Sequence, residues 1–312
     1  MKILITGAGG YIGSSLIPYL QPYKVNLTTY DNFYYNQGPL VYNSLANTNF
    51  YKQDVLDWSD NLIDNIKKAD VIIPLAAIVG APACDKVPEY STSINYRWYE
   101  KLLEYINKDT LVIYPNTNSG YGSTGDSLCT EETPSNPLSR YGEDKHKTED
   151  LLLKNHEKSI VFRLATVFGY SPRPRLDLLI NNLTYRAKTE LHIEIFDGHF
   201  RRNYIHIKDI CKAFLHAIQN KELIGNIYNL GNDSINCTKE QLATVISDTL
   251  GTTFSNNQFK TDPDKRDYEV SSKKLYNTGY VADIDLVTGI KELDNFYNYL
   301  PGDNYDKFIK NY

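Results

Sequence analysis

Lys2-Ile3-Leu4-Ile5-Thr6-Gly7-Ala8-Gly9-Gly10-Tyr11-Ile12-Gly13 is an aliphatic run that breaks into spaced glycines and then opens a helical pattern, Tyr11-Ile12-Gly13-Ser14-Ser15-Leu16-Ile17. The run reads as a buried strand. Glycines at 7, 10 and 13 permit a tight turn, let the backbone approach a pyrophosphate and let the next helix pack closely on the sheet. The start of that helix offers free N–H groups and a partial positive charge to phosphates. Asp31 ends the second predicted strand, 18 residues after Gly13 and just before Asn32. A carboxylate there can accept hydrogen bonds from the ribose hydroxyls of adenosine. Nothing basic lies between Asp31 and Leu40, so a 2′-phosphate would meet repulsion and no partner. NAD is expected, not NADP.

Outward from this loop, short β-branched or aliphatic runs alternate with longer amphipathic ones. Strands are predicted at 2–6, 25–30, 71–75, 110–115 and 159–164. A helix is predicted over 93–107, with Ile94, Trp98, Leu102 and Ile106 on one face. This alternation predicts an α/β fold, a doubly wound parallel sheet of Rossmann type, with a smaller, interleaved C-terminal substrate lobe. The expected division is a cofactor domain over 1–168 and a substrate lobe over 169–312, with a segment near 200–225 returning to the first. At 312 residues and 41% apolar content the chain can bury a large core. Its net charge of −5 argues against nucleic-acid or anionic-membrane partners. No apolar run approaches the ~18 residues of a membrane span, and no signal peptide is evident. The four cysteines, Cys84, Cys129, Cys211 and Cys237, form no C-x-x-C pair. That pattern fits reduced thiols in a cytoplasmic protein and no metal site.

Two tyrosines have a lysine four residues on, Tyr141 with Lys145 and Tyr204 with Lys208. Residues 141–149 run into Leu151-Leu152-Leu153 as a helix would, which puts i and i+4 on one face. Residues 203–207 alternate like a strand, where the i+4 partner lies ~13 Å away. Tyr141–Lys145 is therefore the functional candidate. A free tyrosine has a pKa near ~10, so acting as a base near neutrality requires about 4 kcal/mol of phenolate stabilisation. An ammonium one helical turn away supplies part of that. Thr117, just after the fourth predicted strand, is the hydroxyl expected to hold the substrate oxygen, in the loop region where such sheets place ligands.

Together these residues resemble the extended short-chain dehydrogenase/reductase family, the NAD-dependent epimerases and dehydratases acting on nucleotide sugars, over essentially the whole chain. The resemblance implies that Tyr11, Ile12, Asn32, Asp54-Val55, Leu75-Ala76-Ala77, Asn95 and Leu164 join the glycines, Asp31, Tyr141 and Lys145 around NAD. It also implies a nucleotide-diphosphate stretch at Arg202-Asn203-Tyr204-Ile205-His206, and Thr166 at the entry to the substrate lobe. The runs 72–77, 114–122, 163–169 and 200–206 resemble, more narrowly, the bacterial GDP-heptose 4-dehydrogenases of capsule synthesis. A homo-oligomer taking a GDP-sugar is the expectation that follows.

In the family's 4,6-dehydratases the catalytic threonine is followed by Asp-Glu, which shuttle protons during elimination of water. Here Asn118 and Ser119 stand in those places, and neither can act as a carboxylate acid or base. They are expected to contact substrate instead. Arg173, Arg175, Arg202 and Arg266 are the expected donors to the diphosphate, with Tyr204 packing or touching ligand. The chemistry expected is oxidation at C4 of the sugar. A 4-epimerase with the same residues is the rival, and a non-catalytic NAD-binding regulator the more distant one.

Overall fold

A computed structural model describes residues 1–35, 47–125, 127–257, 259, 267–300 and 311. The opening run forms β1 (Lys2–Thr6), in which Ile3, Leu4 and Ile5 are buried although they point to alternate faces. Burial on both faces is what a parallel sheet covered by helices on each side demands. The other strands are β2 (Asn26–Asp31), β3 (Thr48–Lys52), β4 (Val71–Pro74), β5 (Leu111–Thr117), β6 (Ser159–Leu164) and β7 (Asn226–Leu230). They pair in the order β7-β6-β5-β4-β1-β2-β3, parallel throughout. The doubly wound parallel sheet is thus as expected, with two strands beyond the five read from sequence. Both extra strands lie at the edges. β3 is only half-buried and reads Thr-Asn-Phe-Tyr-Lys, too polar to signal a strand.

The longer helices are α1 (Gly13–Leu20), α2 (Asp60–Lys68), α3 (Trp98–Tyr105), α4 (Arg140–Asn155), α5 (Leu179–Glu190), α6 (Ile207–Gln219), α7 (Lys239–Leu250) and α8 (Leu286–Tyr297). The stretch read as a helix over 93–107 enters α3 through a π-helical turn at Ser93–Arg97 and buries Ile94, Trp98 and Leu102 as expected. After β6 the chain leaves the sheet, then returns to it. Ile210, Ala213, Phe214 and Ala217 of α6 share one apolar cluster with Leu16, Ile17 and Leu20 of α1, and β7 joins the sheet edge. A separate cluster unites α5, α7 and α8 through Ile180, Leu183, Leu242, Ile246, Ile290 and Leu293. Strand order reverses between β1 and β4, so a crevice opens at their carboxyl ends, where open α/β sheets bind ligands.

Candidate active site

That crevice is the mouth of a cavity of about 970 Å³. At one end the glycine turn is closed by the Gly10 N–H donating to the Gly7 carbonyl (3.0 Å). Gly7 has φ +67°, and a Cβ there would stand 2.5 Å from the Ala76 nitrogen, so the loops after β1 and β4 touch only because Gly7 has no side chain. Asp31 closes β2 and is buried; its Oδ2 accepts the Gly9 N–H (2.8 Å) and its Oδ1 the Phe33 N–H (2.7 Å). Burial pushes its carboxyl above the ordinary range, against the pull of those two amides and of the Arg173 charge. Asp54 Oδ2 accepts from Asn32 Nδ2 (2.9 Å) and the Tyr90 hydroxyl (2.8 Å). Gly7, Gly10, Tyr11, Ile12, Gly13, Asp31, Asn32, Asp54, Val55, Leu75, Ala76, Ala77 and Leu164 all line the cavity.

Thr117, Tyr141 and Lys145 meet on its wall. Ser139 caps α4 by accepting the Gly142 N–H (3.3 Å), which puts Tyr141 in the first turn and Lys145 one turn on. Lys145 is 3% exposed, and its ammonium sits over the Tyr114 ring, 4.1 Å from the centroid. Burial pulls its pKa down to about 7, with Cys84 and Glu149 opposing. Thr117 ends β5; its Oγ1 accepts the Ser119 N–H (3.1 Å) and donates to Ser119 Oγ (3.0 Å). Its backbone N–H donates to Asn116 Oδ1 (2.8 Å), and Asn116 Nδ2 donates to Glu149 Oε2 (2.5 Å) on α4. Arg163 completes the brace with Nη2 to Glu149 Oε1 (2.6 Å) and Nε to Oε2 (3.1 Å). This buried bidentate pair ties the threonine loop to the helix bearing Tyr141 and Lys145. The sequence reading missed Asn116 and Glu149, although Glu149 shares the helix face of Lys145 at i+4.

The wall also carries Ser119, Thr166, Arg175, Asp177, Arg202 and Lys239. Arg175 is ion-paired with Asp177; Arg202 lies 5.9 Å from each of the Phe200 and Tyr268 ring centroids. Side chains cap α2, α4, α6, α7 and α8; α3 continues directly from its π-helical turn, and among these longer helices the two that start afresh without a capping side chain are α1 and α5. Both uncapped starts face the cavity, α1 through Ile12 and Gly13, α5 through Leu178, Leu179 and Asn182. Helix starts left open in this way offer N–H groups and a partial positive charge to phosphates.

Three expected contacts lie off the wall. Asn95 is buried behind it, with Oδ1 accepting the Ile78 N–H (3.2 Å) and Nδ2 donating to the Ile78 carbonyl (2.9 Å); it fixes the loop at 77–80 that does line the cavity. Asn118 is 1% exposed, turned inward by the 3₁₀ turn Asn118–Tyr121, and its amide has no hydrogen-bond partner among the described residues. Tyr204 lies in a strand, as its alternation implied, but packs in the cluster of α5, α7 and α8. Arg266 lies outside the described residues. Among the described residues no group of three or more His, Cys, Asp or Glu could hold a metal, and no helix is long and apolar enough to cross a membrane.

A strand–glycine turn–helix crevice with a tyrosine and lysine one turn apart defines a dinucleotide-dependent oxidoreductase class of site. Residues 3–231 match the NAD dependent epimerase/dehydratase family; the chain belongs to it, is an enzyme, and uses NAD. A putative UDP-glucose 4-epimerase from Methanocaldococcus jannaschii is 27% identical, over 94% of this chain and 97% of that protein. A dTDP-D-glucose 4,6-dehydratase from Dictyostelium discoideum is 32% identical, over 74% of this chain and 58% of that one. Among solved structures, the UDP-glucuronic acid 4-epimerase from Bacillus cereus, in complex with UDP-glucuronic acid and NAD, superposes with a TM-score of 0.81 at 25% identity, covering 96% of this chain and 99% of that one.

Proposed function

We propose that this enzyme oxidises the C4 hydroxyl of a nucleotide-linked sugar to a ketone, with a GDP-heptose or related GDP-sugar as substrate. The observation that carries the reading is the meeting of Thr117, Tyr141 and Lys145 on one cavity that the open start of α1 also faces. Bound NAD would supply the hydride acceptor for this oxidation. Tyr141 takes the hydroxyl proton, Lys145 offsets the charge left on the phenolate, and Thr117 orients the reacting oxygen. The glycine turn and α1 would hold the dinucleotide phosphates, and Asp31 its adenosine ribose. Elimination of water is disfavoured. Asn118 and Ser119 replace the carboxylates, Asp31 and Asp54 sit at the cofactor end, and Asp177 is engaged by Arg175. The four runs that resemble the GDP-heptose enzymes support a GDP-sugar and net oxidation. The epimerase names of the relatives support the second reading, in which the same residues return the hydride to the other face.

Incubation with GDP-, UDP-, dTDP- and CDP-sugars, followed by mass and NMR analysis, tests this. The expected product is two hydrogens lighter, with one NAD reduced per sugar and turnover stalling near one equivalent unless an acceptor is added. Unchanged mass with inverted C4 and no accumulating NADH would make it an epimerase. Loss of water would overturn the reading of Asn118 and Ser119.

Cofactor choice gives a further expectation. NAD should bind better than NADP, and Asp31→Ala should weaken NAD by roughly 10- to 100-fold, the worth of one or two hydrogen bonds to a charged group. The gap to NADP then narrows. Equal affinities in the unmodified protein, measured by calorimetric titration, would remove Asp31 from this role.

A further inference from the structure

Arg173 is grouped by sequence with the substrate arginines, but it is held against the glycine loop and the start of α1. The segment it ends is strapped across the glycine loop. The Tyr11 hydroxyl donates to the Gly169 carbonyl (2.7 Å), and Ser171 Oγ donates to the Tyr11 carbonyl (2.7 Å) and lies 2.9 Å from Ser14 Oγ. The Arg173 N–H itself donates to Ser14 Oγ (3.3 Å), in the first turn of α1. The guanidinium stacks over Tyr35, 5.0 Å from the ring centroid, and its charge acts on Asp31. Arg173 is 6% exposed and on the cavity wall, yet its Nε and Nη2 have no hydrogen-bond partner among the described residues.

A buried guanidinium with idle donors is costly unless an anion completes it. Burial and the neighbouring Arg175 lower its pKa to about 10, which leaves it charged at neutral pH. Asp31 attracts the guanidinium electrostatically, yet neither Nε nor Nη2 finds a hydrogen-bond partner there. The α1 start beside it is an anion site without a capping side chain. We infer that Arg173 is a phosphate donor of the cofactor half: its guanidinium binds the dinucleotide pyrophosphate opposite the α1 start. The segment that leads into the substrate lobe thereby closes over the cofactor. This inference rests on NAD occupying the crevice.

The test is calorimetric titration of NAD, NADP, GDP and UDP into the unmodified protein, Arg173→Met and Arg173→Lys, with melting curves of each protein alone. Arg173→Met is expected to weaken NAD and NADP by the same roughly 10- to 100-fold, the loss of a charge-assisted donor pair. Arg173→Lys should recover part of this, and GDP and UDP should bind as before. The melting temperature without ligand should hold or rise, because an unpaired buried cation has gone, while the upward shift produced by NAD shrinks. If Arg173→Met does not fold, Arg173→Gln carries the same readouts. Unchanged NAD affinity would overturn the inference. Loss confined to GDP or UDP would make Arg173 a substrate ligand, and loss confined to NADP would assign it to the 2′-phosphate. Failure of the unmodified protein to bind either dinucleotide would overturn the cofactor reading, and this inference with it.

Discussion

Tyr141→Phe is expected to lower kcat by roughly 10²- to 10⁴-fold, the usual contribution of a positioned proton acceptor, while NAD binds almost as before. The substitution removes one oxygen and keeps the ring, which packs at the edge of the cluster containing Tyr99 and Tyr114. The α4 cap through Ser139 and the bond from the Tyr114 hydroxyl to the Lys145 carbonyl (3.1 Å) do not involve the lost atom. Helix position and the Lys145 side chain therefore stay in place, and the loss falls on proton transfer. Single-turnover measurement of NADH formation, alongside NAD titration, separates the two effects. Tyr204→Phe is the matched control. That ring is 0% exposed and off the cavity wall, so turnover should persist. Normal turnover in Tyr141→Phe with loss in Tyr204→Phe would show that the wrong tyrosine–lysine pair had been chosen.

What was legible in the sequence was local. The glycine turn, Asp31 at a strand end and Tyr141 one turn before Lys145 each depend on spacings of a few residues, which strand and helix geometry convert directly into position. Where a side chain points after a turn is less local. Thr117 and Ser119 reach the cavity, while Asn118 between them is turned into the protein by one 3₁₀ turn. Long-range placement was not legible at all. The absence of a cation between Asp31 and Leu40 suggested that nothing basic stands near Asp31, yet Arg173 does, carried there by the strap from Gly169 to Ser14. Lys239 opens α7 behind a capping box at Thr238 and Gln241, which marks a helix start but not the cavity it faces. The edge strands fail for a related reason: β3 is half-covered, so its composition carries little of the apolar signal that marks β1.

Lys145→Met is expected to damage turnover and yet to stabilise the protein without ligand at neutral and acidic pH. The ammonium is buried, and its nearest electrostatic help, from the Tyr114 ring, Cys84 and Glu149, does not make up for lost water. Its pKa in the fold is about 7, against an ordinary 10.5. Between these values the unfolded chain holds the proton and the folded chain does not, so stability rises with pH across that window. Below about 7 both states are protonated and the full cost of burying the charge is present, up to a ceiling of about 5 kcal/mol. Above about 10.5 the lysine is neutral in both states and the cost is gone. Methionine fills similar space without the charge. Its advantage should therefore be largest near pH 6, shrink through pH 8 and 9, and vanish near pH 10.5. Over the same range kcat should fall, because the phenolate of Tyr141 loses its counter-charge, and NAD should bind more weakly if the lysine also holds the nicotinamide ribose. Melting curves at pH 6, 7.5 and 9.5, paired with kcat at each pH, are the measurement. A variant less stable than the unmodified protein at pH 6, or an advantage that does not narrow as pH rises, would show that Lys145 is not held against its charge. The lysine would then be an ordinary paired cation, and the tuning of Tyr141 would have to come from elsewhere on the wall.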